Sequence, residues 1–349
     1  MTWLTWRQLR GSVAMTAALL LILAAVLALT GPDLAARYTA GIAECTEAGT
    51  CERFYNRFFG GHELAFLAVS LVALLLPAVV GLFWGAPMIT RELEAGTHLL
   101  VWNQSITRRR WLAVKLGLTV LAAAAAAGLC GLMVTWWSGP LDASASEELA
   151  PMAPLVFGAR GILPVAYAAF AVVLGVTVGM LVRRTLPAMA LTLAVFAGIQ
   201  LAMPLAVRPY LMAPVTQTYE LGEVNVDGVY VPRYGGSAVQ VTLKAAVPGS
   251  PGAWVLGNEL LDPSGRVVAA GDGGAAVPVS TTSGVCSPGG SAAGGGCLAE
   301  INRLGYRQQV TYHPLGRFWP FQWIEAGIYA LLTLGLTGLS FRWIRRRVS

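Results

Sequence analysis

Six apolar blocks run through this chain, each close to the length that crosses a lipid bilayer. They cover residues 12–29, 64–84, 116–137, 162–182, 186–207 and 321–341. A membrane-spanning helix takes about 20 apolar residues, because inside lipid every backbone N–H and C=O must be satisfied within the segment. Soluble helices and strands carry their apolar residues in periodic stripes instead. The composition agrees, with 56% hydrophobic residues, 12% charged residues and a mean hydropathy of +0.62 over 349 residues. A soluble protein carries about twice that charged fraction. The first block follows Arg7 and Arg10, as a signal peptide would. Its apolar run is too long for one and no small-residue cleavage site follows, so it reads as a retained helix.

Basic residues gather on the cytoplasmic side of membrane proteins. With the N-terminus inside, the inner set is Arg7, Arg10, Arg91, Arg108, Arg109, Arg110, Lys115, Arg183, Arg184, Arg342, Arg345, Arg346 and Arg347, opposed by only Glu92 and Glu94. The other segments hold 11 basic and 16 acidic residues. The formal charge of +6 therefore reports topology and does not call for a nucleic-acid partner. The fold class expected is an all-α polytopic membrane protein with six transmembrane helices, both termini cytoplasmic, and a β-rich extracytoplasmic domain between the fifth and sixth helices. The divisions expected are a surface helix over 1–11, spans one to five over 12–207, the outer domain over 208–320, and the sixth span with a basic tail over 321–349.

Cys45 and Cys51 lie after the first block, and Cys286 and Cys297 before the last. Both pairs fall outside in this topology, where disulfides persist. No histidine lies near either pair, which favours disulfides over a metal site. Cys130, alone in an Ala-rich span, reads as a small apolar residue. Within 208–320, the alternation from Glu223 to Pro232 and from Ala238 to Leu243 predicts strands. Asp227-Gly228 signals a hairpin turn, and Asp262-Pro-Ser-Gly265 a second turn. The Gly/Ser/Ala-rich stretch 271–296 predicts a loop pinned by the second cysteine pair.

Several chemistries are excluded. The two lysines, Lys115 and Lys244, follow no glycine-rich loop, so the chain holds no P-loop of its own. His62-Glu63 lacks the second histidine of a zinc protease, and no Gly-x-Ser-x-Gly elbow exists. No catalytic constellation and no metal site is found.

The loop over 85–112 carries the most information. Pro87 suits a helix start, Thr90, Glu92 and Glu94 favour helix, Gly96-Thr97 breaks it, and Thr107 can cap a new helix that carries Arg108, Arg109 and Arg110 into the third span. Helix, break and helix make an elbow at the membrane face. Arg91-Glu-Leu-Glu-Ala-Gly-Thr97 followed by Ser105-Ile-Thr-Arg108 resembles the coupling-helix region of bacterial ABC export permeases, more specifically actinobacterial permeases with the type V exporter fold. The resemblance extends to Arg183-Arg-Thr-Leu-Pro-Ala-Met189 and to the segment from Tyr312 to Glu325. Arginine outnumbers lysine 22 to 2, in keeping with a GC-rich genome.

The resemblance implies a multi-pass permease of the bacterial cell membrane. It implies a separate ATP-binding subunit that holds ATP and Mg²⁺, two copies of each subunit, and contact with the ATPase through Arg91, Glu92, Glu94, Gly96, Thr97, Arg108, Arg109 and Arg110. It also implies an N-terminal amphipathic helix with Trp3 and Trp6 on the inner face. The outer segment is longer than the short helical insertion of many such exporters. The function expected is outward movement of an amphipathic substrate, drug-like, lipid-like or peptide. A sensing or immunity module that transports nothing, and a membrane-embedded enzyme, are the rival classes.

Polar residues inside the spans are the remaining candidates. Glu325 stands below an aromatic cluster in which Trp319, Phe321 and Trp323 read as an interfacial belt. Either Arg160 pairs with it or it snorkels to water. Gln200 either bonds across helices or faces the path, and the bond between helices is the reading preferred. Gly81-x-x-x-Gly85 and Gly175-x-x-x-Gly179 would allow close helix approach.

Overall fold

The computed structural model describes residues 2–48, 51–96, 107–231, 238–271, 274–287 and 295–346. Eight helices come first: α1 (Thr2–Ala48), α2 (Cys51–Gly60), α3 (Glu63–Val80), α4 (Ala86–Glu94), α5 (Arg108–Asp142), α6 (Pro154–Phe157), α7 (Leu163–Val182) and α8 (Thr185–Ala202). Strands β1 (Val215–Tyr219), β2 (Val226–Tyr230), β3 (Val239–Leu243), β4 (Trp254–Leu261), β5 (Ala270–Gly271) and β6 (Gly274–Val277) follow. Helix α9 (Gly296–Arg303), strand β7 (Arg307–His313) and helix α10 (Phe318–Arg346) close the order. The chain divides into a membrane unit, made of residues up to Ala145, Pro154–Leu211 and the chain from Trp319, and a second unit of Ser146–Ala153 with Met212–Phe318.

Among the described residues, six helical stretches are long and apolar enough to cross a bilayer: Arg10–Thr46, Glu63–Glu94, Arg108–Asp142, Leu163–Val182, Thr185–Tyr210 and Leu315–Arg345. They coincide with the six blocks of the sequence to within a residue at the start of the fourth. The chain is a mostly helical, multi-pass membrane protein with a sheet region between its last two spans. Helix α1 departs from expectation. It has 47 residues, or about 70 Å at 1.5 Å per residue, and neither Gly11 nor Pro32 interrupts it. The separate surface helix expected over 1–11 is instead the first part of one continuous helix. Its far end is tied to α2 by the Cys45–Cys51 disulfide, with Cα atoms 4.8 Å apart. Tyr38, Phe54 and Phe58 stack across that corner.

Helix α7 is apolar on every side and is enclosed on nearly every side, as a centrally placed span must be. The glycines explain how its neighbour comes so close. Between α3 and α4 the backbone widens into a π turn, Gly81–Gly85, directly before Pro87, whose ring and missing N–H do not suit a regular α-turn. A Cβ on Gly81 would lie 2.7 Å from the Cβ of Ala171, and one on Gly85 2.7 Å from the Val172 carbonyl oxygen. From the other side, a Cβ on Gly175 would lie 2.7 Å from the Ala86 nitrogen, and one on Gly179 3.0 Å from the Thr90 side chain. The two Gly-x-x-x-Gly motifs therefore face each other, backbone to backbone.

The second unit holds two antiparallel sheets, one of order β1-β7-β4 and one of order β2-β3-β6-β5. Val239, Val241 and Val277 of one sheet meet Leu260 of the other in a shared core, closed by Ile301 of α9 and by the Cys286–Cys297 disulfide. Asp227 and Gly228 do not form the hairpin turn expected of them. They lie inside β2, where the register shifts between Val226 and Gly228. A glycine in a strand serves a bulge as readily as a turn. The Asp262 turn forms as read: the Gly265 N–H donates to the Asp262 carbonyl at 2.9 Å. The Asp262 carboxylate accepts from the Ser264 hydroxyl and from the Ser264 and Arg266 N–H groups. The Ser264 hydroxyl first, then the Arg266 N–H, holds this carboxyl below the ordinary aspartate range.

Candidate functional site

The two described arms of the elbow, on either side of residues 97–106, are helical, and their charges are sorted by direction. Gly96 ends α4 in the left-handed region at φ +67°. Thr107 opens α5 with its side-chain oxygen accepting from the Arg110 N–H. Helix α4 rests on a core made by Ile89, Trp111, Leu112, Val176, Met180 and Ile344, which joins it to α5, α7 and α10. Arg91, Glu94, Arg109 and Arg110 are exposed, while Arg108 and Gly96 are half-buried. Glu92 is a correction to the surface role read for it. It is buried, and its carboxylate accepts from Lys115, which is 1% exposed and lies over the Trp111 ring at 4.9 Å. Lys115 stands one helical turn beyond the arginines, among apolar residues, so only an internal acid can match it. Thr97 lies outside the described residues.

Glu94, though exposed, is also bound within the chain. Its two oxygens accept from the backbone N–H and the hydroxyl of Thr185, each at 2.7 Å. The hydroxyls of Thr90 and Thr185 are 2.8 Å apart. The elbow is thus fastened to the third span at Lys115 and to the fifth at Thr185.

At the other end of the spans two further ion pairs are enclosed. Arg160 does not pair with Glu325. It donates to Asp142 at 3.0 Å, to the Ser138 hydroxyl and to the Val134 carbonyl, all near the end of α5. The partner of Glu325 is Arg208, whose Nε and Nη2 reach the two carboxylate oxygens at 2.9 and 3.2 Å. Such two-pronged contacts are the strong form of the pair. The Tyr167 hydroxyl donates to the same carboxylate at 2.5 Å, and the Arg208 guanidinium lies 4.3 Å from the Phe157 ring centre. Glu325 is wholly buried, which rules out a carboxylate snorkelling to water. Tyr329, whose ring packs on Tyr167, donates to Gln200 at 2.8 Å, so Gln200 bonds across from α8 to α10. Gln322 accepts from the first N–H groups of α7, at Ile162 and Leu163, and donates to the Phe157 carbonyl. The aromatic belt divides: Trp319 and Trp323 are 54% and 65% exposed, but Phe321 is buried in the core.

Sequence reasoning missed Arg208, Asp142 and Thr185. Arg208 and Asp142 stand just past the apolar blocks, where a charged residue reads as a flank. The signal available was proline: Pro204 and Pro209 bracket Arg208, and the chain there leaves α-geometry for a π turn and then a 3₁₀ turn. There the Arg208 side chain meets Glu325.

Between α3 and α8 lies a cavity of about 510 Å³, walled by Leu71, Leu75, Phe196 and Leu201, with Tyr167, Gln200 and Arg208 as its polar lining. No metal-ligand cluster of His, Cys, Asp or Glu occurs among the described residues.

A family model described as ABC-2 membrane transporter related matches residues 17–208, more than half of the chain. The match runs from the first span to Arg208 and so includes the elbow. No curated protein and no solved structure gives a match.

Proposed function

The chain belongs to the ABC-2 membrane transporter related family and is the permease of an ABC transporter, and from that premise we propose that it is an exporter driven through its elbow by a separate ATP-binding subunit. A permease of this family has no nucleotide-binding domain, so ATP and Mg²⁺ belong to the partner. The observation that carries the proposal is the elbow's sorting of charge. Arg91, Arg109 and Arg110 point outward while Glu92 and Lys115 bolt the same segment to the bundle. Exposed arginines on two helix ends that are fastened to the bundle suit a cleft on an ATPase and can pass on the closure of its dimer.

The positive-inside pattern supports a cytoplasmic elbow, cytoplasmic termini and an outer sheet unit. Two permease copies with two ATPase copies would frame the path. The cavity between α3 and α8 supports an amphipathic substrate, because its walls are apolar and its few polar groups are fixed. The amino-acid usage and the motif resemblance favour a bacterial, actinobacterial source and the type V fold.

Inverted vesicles carrying the permease with its ATP-binding subunit, supplied with a lipophilic fluorescent dye or a labelled phospholipid, test the export reading. ATP-dependent accumulation that vanishes with a hydrolysis-deficient ATPase is the expected result. ATP hydrolysis without uptake of any such probe would move the chain to the sensing class.

A further inference from the structure

We propose that Glu94 is a positioning residue that caps the fifth membrane helix from outside, so that a displacement of the elbow is delivered to α8 as well as to α5. The first N–H groups of a helix have no partner within it, and a Ser, Thr, Asp or Asn just before the helix commonly supplies the acceptor. Helix α8 lacks that device. Its N-cap is Arg184, in extended backbone at φ −129° and ψ 131°, and the Arg184 side chain makes no cap hydrogen bond. The acceptor comes from α4, 91 residues earlier, as the Glu94 carboxylate on the Thr185 N–H and hydroxyl. A carboxylate at this place also faces the positive end of the helix dipole. Thr90, one turn earlier on α4, adds a hydroxyl contact to the same Thr185.

The connection leaves little slack. Helix α7 ends at Arg183, held in the left-handed region at φ 58°, and α8 starts two residues later. When α4 moves, the bonds at Thr185 either carry the start of α8 with it or break. Glu92 does the same for the third span through Lys115. The elbow is therefore a joint of three spans, in which the second drives the third through one acid and the fifth through the other. The delivery step rests on the elbow being the ATPase contact; the cap itself does not.

Three variants separate the cap from a charge contact with the partner. Glu94→Gln keeps an oxygen acceptor and loses the charge. Glu94→Ala loses both. Thr185→Pro removes the N–H and the hydroxyl at the first helical position, which accepts proline, and the extended Arg184 suits a following proline. Hydrogen exchange over the first turn of α8 is measured in the purified permease, then in its complex with the ATP-binding subunit, without nucleotide and trapped with ATP, Mg²⁺ and vanadate. In the permease alone, exchange is expected about fivefold faster in Glu94→Ala, the effect of losing one cap, and near wild type in Glu94→Gln. In the complex, trapping should change exchange there in wild type and Glu94→Gln but not in Glu94→Ala or Thr185→Pro, with the ATPase retained in all four. The double change of Glu94→Ala and Thr185→Pro should be no worse than either alone.

Wild-type exchange in Glu94→Ala would overturn the cap. Loss of the ATPase from Glu94→Gln and Glu94→Ala alike would instead place Glu94 at the partner's surface. A wild-type permease that retains no ATPase would overturn the delivery step, while the first comparison still decides the cap.

Discussion

A carboxylate enclosed among aromatic rings needs a cation and hydrogen-bond donors beside it, and Glu325 has Arg208 and Tyr167. Removing one member of such a pair leaves the other charge buried and costs about 3–5 kcal/mol. Glu325→Gln and Arg208→Gln should each lower the Tm of the purified permease strongly. Their double change should be much less than additive, because the two side chains act as a unit. Arg160→Gln combined with Glu325→Gln supplies the control and should add simply, since Arg160 answers to Asp142. Coupling between Arg160 and Glu325, or none between Arg208 and Glu325, would contradict the assignment. The sequence made Glu325 visible because a charge inside an apolar block stands out. It hid Arg208, because that residue follows a block and there reads as a flanking charge. A similar depth in the membrane pointed to Arg160 at the start of the fourth span, and nothing local reveals that Asp142 claims it.

At the scale of elements, the contact between α7 and the α3–α4 pair depends on four glycines whose missing side chains let backbones touch. Gly85→Val or Gly175→Val forces that contact apart, and overpacking of this kind costs about 1–3 kcal/mol or more. Gly117→Ala has nothing within 4 Å of its added methyl and should be close to neutral. A thermal-shift series in one detergent checks this, and equal Tm values for all three variants would remove the glycine contact as a determinant. The apolar blocks were legible because lipid demands them, and the helix breaks at Gly96 and Thr107 because capping chemistry is local. The π turn was not legible, since a Gly-x-x-x-Gly motif carries no record of what lies opposite. Asp227-Gly228 misled for a related reason: the same dipeptide serves a bulge inside a strand when the partner strand shifts register. The cysteine pairs, by contrast, stand at disulfide distance as expected. Mass spectrometry of non-reduced peptides should find Cys45 joined to Cys51 and Cys286 to Cys297; cross-linked peptides between the two regions would contradict the fold of both segments.

At the scale of the molecule, one feature organises the account. Among the described residues, Arg91, Arg109 and Arg110 lie exposed on the elbow, which is fastened to the third span at Lys115 and to the fifth at Thr185. A permease of this family works with a separate ATP-binding subunit, and the elbow is the proposed place where that subunit's work is received. The most direct measurement is photo-crosslinking. A photoreactive amino acid replaces Arg91 or Arg109 on the elbow, or Arg37 on the far part of α1, in membranes that contain the permease and its ATP-binding subunit. Adducts with the ATPase are expected from Arg91 and Arg109 and none from Arg37. ATPase adducts from Arg37, or their absence at both elbow positions in membranes where the two subunits co-purify, would contradict the account.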